Sequence, residues 1–211
     1  MATRPSALII HGMGDSPLMM LPLAGAVRRA GVRTHFFQYF VGWESLDHIV
    51  GRLKRALVEV RPQYVVAHSL GGILTRLALA ELPAADVRHL VMLGTPNRAP
   101  RLAKWFGRFR TYRWAFGTCG RFLANPENYA ALPPIPVPFT VVAGTFGPVG
   151  RLSPFGRDPN DGVVSVCETN VDGDHEPMRV AAWHTLLMAH PRVHALLGTI
   201  LAPSTTRPGS R

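Results

Sequence analysis

A short apolar run ends in a serine flanked by small residues at Tyr64-Val65-Val66-Ala67-His68-Ser69-Leu70-Gly71-Gly72, and a helical pattern begins at once. A serine on a tight strand-to-helix turn has its hydroxyl lifted above the sheet. That crowded turn requires small residues two before and two after it. Ala67 and Gly71 satisfy the requirement, with Ala67 standing where glycine is usual. The competing reading is a serine N-cap opening an ordinary helix. Placement between a β-rich run and an amphipathic helix favours a nucleophile.

Two other segments suit the same chemistry. Leu8-Ile9-Ile10-His11-Gly12-Met13-Gly14 reads as a buried strand opening into a His-Gly turn. An oxyanion hole takes one backbone N–H from the residue after the nucleophile and one from a loop after an early strand, which makes Leu70 and Met13 the candidates. Asn160-Asp161-Gly162-Val163-Val164 places a carboxylate in a turn, and His184 follows a strand-like run ending in Ala182-Trp183.

These pieces, with Leu93-Gly94-Thr95-Pro96-Asn97, resemble the α/β-hydrolase superfamily, and within it small bacterial lipases and esterases. The order Ser69, Asp161, His184 matches that superfamily and not the chymotrypsin or subtilisin arrangements. The resemblance covers roughly residues 6–97 and 138–202; Arg98 departs from the glycine that many relatives carry there, and the intervening segment matches nothing. It implies a doubly wound, mostly parallel sheet, here of about six strands, and an ester hydrolase working through an acyl-enzyme on Ser69. The superfamily's usual antiparallel opening hairpin is expected to be absent, because the sequence starts at the strand leading to the oxyanion loop. No metal or organic cofactor is implied.

At 211 residues and 47% hydrophobic, the chain suits one α/β domain with a full core. We expect that domain over residues 1–202, with 98–137 as a cap inserted in it and 203–211 as a disordered tail rich in Pro, Ser and Thr. No apolar run is long enough to span a membrane and no signal peptide is seen, so a cytoplasmic location is the expectation. Cys119 and Cys167 make no disulfide framework and are read as free thiols.

The strands expected are those at Leu8, Val32–Tyr39, Tyr64, Val87–Leu93, Phe139–Ala143 and Met178–Trp183. Helices alternate with them at Pro17–Ala30, Ser45–Val60, Gly71–Leu82 and from Pro191 to Leu201, the last with His190 as N-cap. This alternation is the pattern of a parallel α/β sheet.

Nine histidines compete to be the base. His11 belongs to the oxyanion turn, and His68 is expected to point to the wrong side of the elbow. His35, His48 and His89 sit in or beside predicted elements. His184 is preferred over His175, His190 and His194 because it leaves the last strand at the edge where Ser69 should sit. Among acids, Asp161 is preferred over Asp158, Asp172 and Asp174, since apolar Val163 and Val164 anchor its turn. Asp172-Gly173-Asp174 reads as a solvated turn, with too few ligands nearby for a calcium loop.

Net charge is +10, and residues 97–137 carry seven basic side chains against Glu127 alone. In that segment Leu102, Trp105, Phe106 and Phe109 recur at helical spacing, with Arg101, Lys104 and Arg108 mostly opposite. The plain reading is a cap helix with its aromatic stripe packed on the core and its arginines in water. The sharper reading has Trp105, Phe106 and Phe109 lining an acyl pocket or meeting an anionic lipid surface. Nucleic acid is set aside as a partner because no recognised module accompanies the charge. Oligomeric state is not legible. The expected substrate is a small-molecule or lipid ester, with a thioesterase, amidase or acyltransferase using the same triad as the alternative. A non-catalytic lipid- or partner-binding protein on this scaffold is the third option.

Overall fold

Parallel strands covered on both faces need apolar side chains on both, which is why the central strands here read as near-continuous Val, Ile and Leu. The computed structural model describes residues 4–82, 85–171 and 175–202. Its six strands are β1 (Ser6–Ile10), β2 (Arg33–Phe37), β3 (Tyr64–His68), β4 (His89–Leu93), β5 (Phe139–Gly144) and β6 (Met178–Val180). They form one sheet in the order β2-β1-β3-β4-β5-β6, with every pairing parallel. Ile9 pairs in register with Val66, and Val66 with Val91.

Side chains alternate across the sheet, and the core divides accordingly. Leu8, Ile10, Val65, Leu90 and Met92 face α2 (Leu46–Val60) and α3 (Leu70–Ala80), meeting Ile49, Leu53, Ile73 and Leu74. On the other face Ala7, Ile9, Val66, Val91 and Val142 meet Leu23 and Val27 of α1 (Leu21–Arg29) and Val193 and Leu197 of α8 (Pro191–Leu201). Each such aliphatic side chain, fully buried, is worth about 1.5–3 kcal/mol. Among the described residues no helix is long and apolar enough to cross a membrane.

Local signals set the helix ends. Ser45 accepts the His48 N–H at 3.2 Å, Arg61 closes α2 in a left-handed conformation, and His190 Nδ1 accepts the Arg192 N–H at 3.2 Å to cap α8. Between β4 and β5, over the segment expected to be a cap, lie α4 (Arg101–Phe106), α5 (Arg110–Ala124) and α6 (Glu127–Ala130), with α5 broken by non-helical Gly117. The short α7 (Val166–Thr169) follows β5, capped by Ser165 and Glu168.

The aromatic stripe of the cap does not pack on the core. Helix α4 stops before Gly107, so Phe109 falls outside it, and Trp105, Phe106 and Phe109 remain 50%, 42% and 46% exposed. Helical spacing in the sequence overran the real helix. The expected tail at 203–211, and Asp172 and Asp174, lie outside the described residues.

Candidate active site

In an open parallel sheet the crevice beyond the carboxyl ends of the strands opens where the strand order reverses. Here that point lies between β1 and β3, flanked by the loop after β1 and the turn after β3. Ser69 occupies the turn with φ 51° and ψ −123°, a conformation that costs a non-glycine residue about 1–3 kcal/mol. The elbow is held against it: Ser69 N–H donates to the Leu93 carbonyl at 2.8 Å, and Thr95 Oγ1 donates to the Ser69 carbonyl at 3.0 Å. Gly71 is needed because a Cβ there would stand 2.7 Å from the His11 carbonyl oxygen.

His184 begins a 3-10 turn (His184–Ala189) after β6. Its Nδ1 is 2.7 Å from Asp161 Oδ2, and its backbone N–H donates to the Asp161 carbonyl at 2.9 Å. The other Asp161 oxygen accepts the Val163 and Val164 N–H groups at 3.0 and 2.7 Å, so a fully buried carboxylate has both oxygens engaged. Acceptance of these bonds makes the carboxylate tolerable inside the protein. Against the back of the imidazole, Gly94 leaves no room for a side chain: a Cβ would lie 2.9 Å from His184 Nδ1.

Ser69 and His184 open on one cavity of about 510 Å³. Its wall is apolar, built from Met13, Pro96, Leu102, Phe106, Leu123 and Val164 among others. Thus Phe106 of the three cap aromatics reaches the cavity, whereas Trp105 and Phe109 are absent from its wall and pack edge-on against each other. The N–H groups of Met13 and Leu70 have no hydrogen-bond partner among the described residues. For Leu70 this follows from its place in the first helical turn, whose donors have no intrahelical acceptor.

The other candidates are engaged elsewhere. Asp158 pairs with Arg101, His175 packs at a tilt against Phe139, and His194 Nε2 contacts the Met188 carbonyl. His11 stacks flat on Tyr39 at 4.3 Å and serves the turn after β1. Cys119 is buried, Cys167 is exposed, and both are free thiols. Among the described residues no three His, Cys, Asp or Glu side chains gather as a metal site.

His68 corrects the sequence reading. It does not point away from the site but lines the same cavity as Ser69 and His184. Simple strand alternation separates neighbours, and the positive φ of Ser69 breaks that alternation. His68 is buried, with Nδ1 2.8 Å from Asp15 Oδ2, Nε2 3.1 Å from the His184 carbonyl oxygen and its ring 4.7 Å from the His184 ring. Burial pushes the His68 imidazole below its ordinary value, and the Asp15 hydrogen bond works against that shift. Burial opposes ionisation of Asp15, but His68 and the Gly12 N–H outweigh it and hold the carboxyl below its usual value. Asp15 was missed in the sequence; its only signal is its place directly after the His-Gly-Met-Gly turn.

Neither the protein-family models nor the curated proteins include a match to this sequence. Solved structures do match the fold. A Bacillus licheniformis lipase in its propeptide form superposes with a TM-score of 0.69 at 18% identity, covering 99% of this chain and 52% of that one. The chain therefore spans about half the length of that lipase. A thioesterase domain from the curacin biosynthetic pathway gives 0.59 at 16% identity, covering 94% and 91%. An N-acyl homoserine lactonase gives 0.61 at 14% identity, covering 93% and 89%. At these identities the likeness is one of architecture: the chain has the α/β-hydrolase fold.

Proposed function

We propose that this chain, an α/β-hydrolase by fold, is a serine hydrolase that cleaves carboxylic esters through an acyl-enzyme on Ser69. The observation that carries the reading is the His184–Asp161 pair at 2.7 Å, opening on the same apolar cavity as a strained Ser69.

Ser69 Oγ attacks the ester carbonyl carbon while His184 Nε2 takes the hydroxyl proton. The carbonyl π electrons move to oxygen, and the N–H groups of Met13 and Leu70 receive the oxyanion. Such a donor is typically worth about 3–4 kcal/mol of transition-state stabilisation. Collapse expels the alcohol oxygen, which takes its proton from His184. Water then attacks the acyl-enzyme, with His184 again accepting a proton and returning it to Ser69 Oγ as the carboxylic acid leaves. Asp161 keeps His184 Nδ1 protonated and stabilises the imidazolium without itself taking the proton.

The test is hydrolysis of p-nitrophenyl esters from acetyl to palmitoyl by the wild type and by Ser69→Ala. Turnover that disappears in the variant supports the reading; a wild type inert toward every ester refutes it.

A second reading keeps the machinery and changes the acyl donor or acceptor, giving a thioesterase, amidase or acyltransferase; the likeness to a thioesterase domain favours the first of these. Product analysis with thioesters, and with alcohol present, separates them. For partners, we infer contact with an anionic lipid surface. Trp43, on the loop after β2, and Trp114, on α5, are 90% and 85% exposed. Lys104, Arg108, Arg110 and Arg113, on the same segment as Trp114, are also exposed. Exposed tryptophans among basic residues suit an anionic interface.

A further inference from the structure

We propose that Asp15 and His68 are positioning residues that tie the loop carrying the Met13 N–H to the backbone of His184, so that oxyanion donor and base are held in one register. The proposal rests on the serine-hydrolase reading for its kinetic consequences, while the tie itself is a matter of geometry.

Three segments distant in sequence meet at this pair. Asp15 lies on the loop after β1, and its Oδ2 accepts the Gly12 N–H at 3.2 Å as well as facing His68 Nδ1 at 2.8 Å. His68 is the last residue of β3, and its Nε2 faces the His184 carbonyl oxygen at 3.1 Å. Packing at the junction is close: a Cβ on Gly12 would stand 2.7 Å from both Asp15 Oδ2 and His68 Nδ1, and 3.0 Å from Ser69 Cβ. His184 is thus gripped at three points, Nδ1 and backbone N–H by Asp161 and carbonyl by His68. Asp161 alone fixes the ring relative to the acid turn. The His68 contact refers the whole histidine turn to the elbow and to the oxyanion loop.

Both ring nitrogens of His68 face oxygens, a carboxylate and a carbonyl. A neutral ring with its proton on the Asp15 side would leave a bare Nε2 against the His184 carbonyl. The two contacts are both hydrogen bonds when His68 and Asp15 hold two protons between them; burial of the imidazole works against this and the neighbouring Asp15 works for it. Neither residue is needed to touch the acyl carbon. Their effect is on where the reacting groups stand, and displacement of about 1 Å can cost on the order of 100-fold in rate.

The experiment compares Asp15→Ala, Asp15→Asn, His68→Phe and the Asp15→Ala/His68→Phe double variant. The readouts are ester kinetics and, in a Ser69→Ala background, hydrogen exchange of residues 11–15 and 184–189. Asp15→Ala and His68→Phe are each expected to lower kcat by about 10- to 100-fold with KM within about threefold. The double variant should be no worse than the poorer single one, because one tie is lost in each case. Asp15→Asn should recover part of the loss, since an asparagine N–H can donate to Nδ1 and leave Nε2–H for the His184 carbonyl, while the Gly12 N–H loses its acceptor. Exchange should rise in both segments together for Asp15→Ala. A kcat within about twofold of wild type in both single variants overturns the proposal, as does additive loss in the double variant. Parallel changes in kcat and KM with no recovery by asparagine would mark general destabilisation and overturn it too. If the wild type hydrolyses no ester, the hydrolase reading has failed, and the exchange result alone decides whether the tie exists.

Discussion

Asp161 meets His184 twice, with its side chain on the imidazole Nδ1 at 2.7 Å and its carbonyl on the backbone N–H at 2.9 Å. One residue therefore sets both the ring and the main chain of the proposed base. The double hold follows from a tight turn in which Val163 and Val164 N–H groups occupy the remaining carboxylate oxygen.

Asp161→Asn should fold, because asparagine can keep the turn bonds through its oxygen. Its amide would then face Nδ1 as a donor and favour the wrong imidazole tautomer, and kcat should fall by about 10⁴-fold. Circular dichroism and ester kinetics check this; turnover close to wild type would move the acid to another residue.

Phe106 is the cap aromatic on the cavity wall, beside Leu102 and Leu123. Phe106→Ala enlarges an apolar pocket, so kcat/KM should shift toward longer acyl chains. Each methylene that gains a buried place is worth about 0.8 kcal/mol. An unchanged chain-length profile would show that acyl groups lie elsewhere.

Trp43 and Trp114 stand outside that cavity's wall and almost wholly in solvent. Replacing both with glutamate should abolish sedimentation of the Ser69→Ala protein with vesicles containing phosphatidylglycerol, while hydrolysis of soluble short-chain esters persists. Equal sedimentation of wild type and variant would remove the lipid-surface reading.

His11 is buried under Tyr39, with Nδ1 on the Gly12 carbonyl at 2.8 Å and Nε2 near the Tyr39 N–H at 3.4 Å. Burial depresses its imidazole below the ordinary value of 6.5, against weaker opposing pulls from Gly12 and Asp15. The folded state therefore binds this proton less readily than the unfolded chain does. Stability from the neutral ring is complete above pH 6.5 and is lost as pH falls through the folded value. Urea midpoints of the wild type and His11→Gln should converge on going from pH 8 to pH 5; a constant gap would contradict the argument.

What could be read along the chain was what local rules govern. Small residues around Ser69, apolar runs for six strands, the Asp161 turn and His190 with Pro191 at a helix start all act over a few residues, and each stands near where the pattern put it, with the strands expected at 32–39 and 178–183 shortened to Arg33–Phe37 and Met178–Val180. Helix α4 was legible in kind but not in length, since periodicity continued through Gly107 where the helix ended. What only the tertiary structure decided was which side chains meet across long separations. His68 touches Asp15, 53 residues earlier, and the His184 carbonyl, 116 residues later. It does so because parallel pairing brings the ends of β1, β3 and β6 to one edge, and a strained serine turn redirects its neighbours. Likewise Phe106 reaches the cavity while Trp105 stays off its wall, a choice made by tertiary packing and not by helical spacing. Local propensity specifies the elements; burial, which depends on the whole chain at once, specifies the partners.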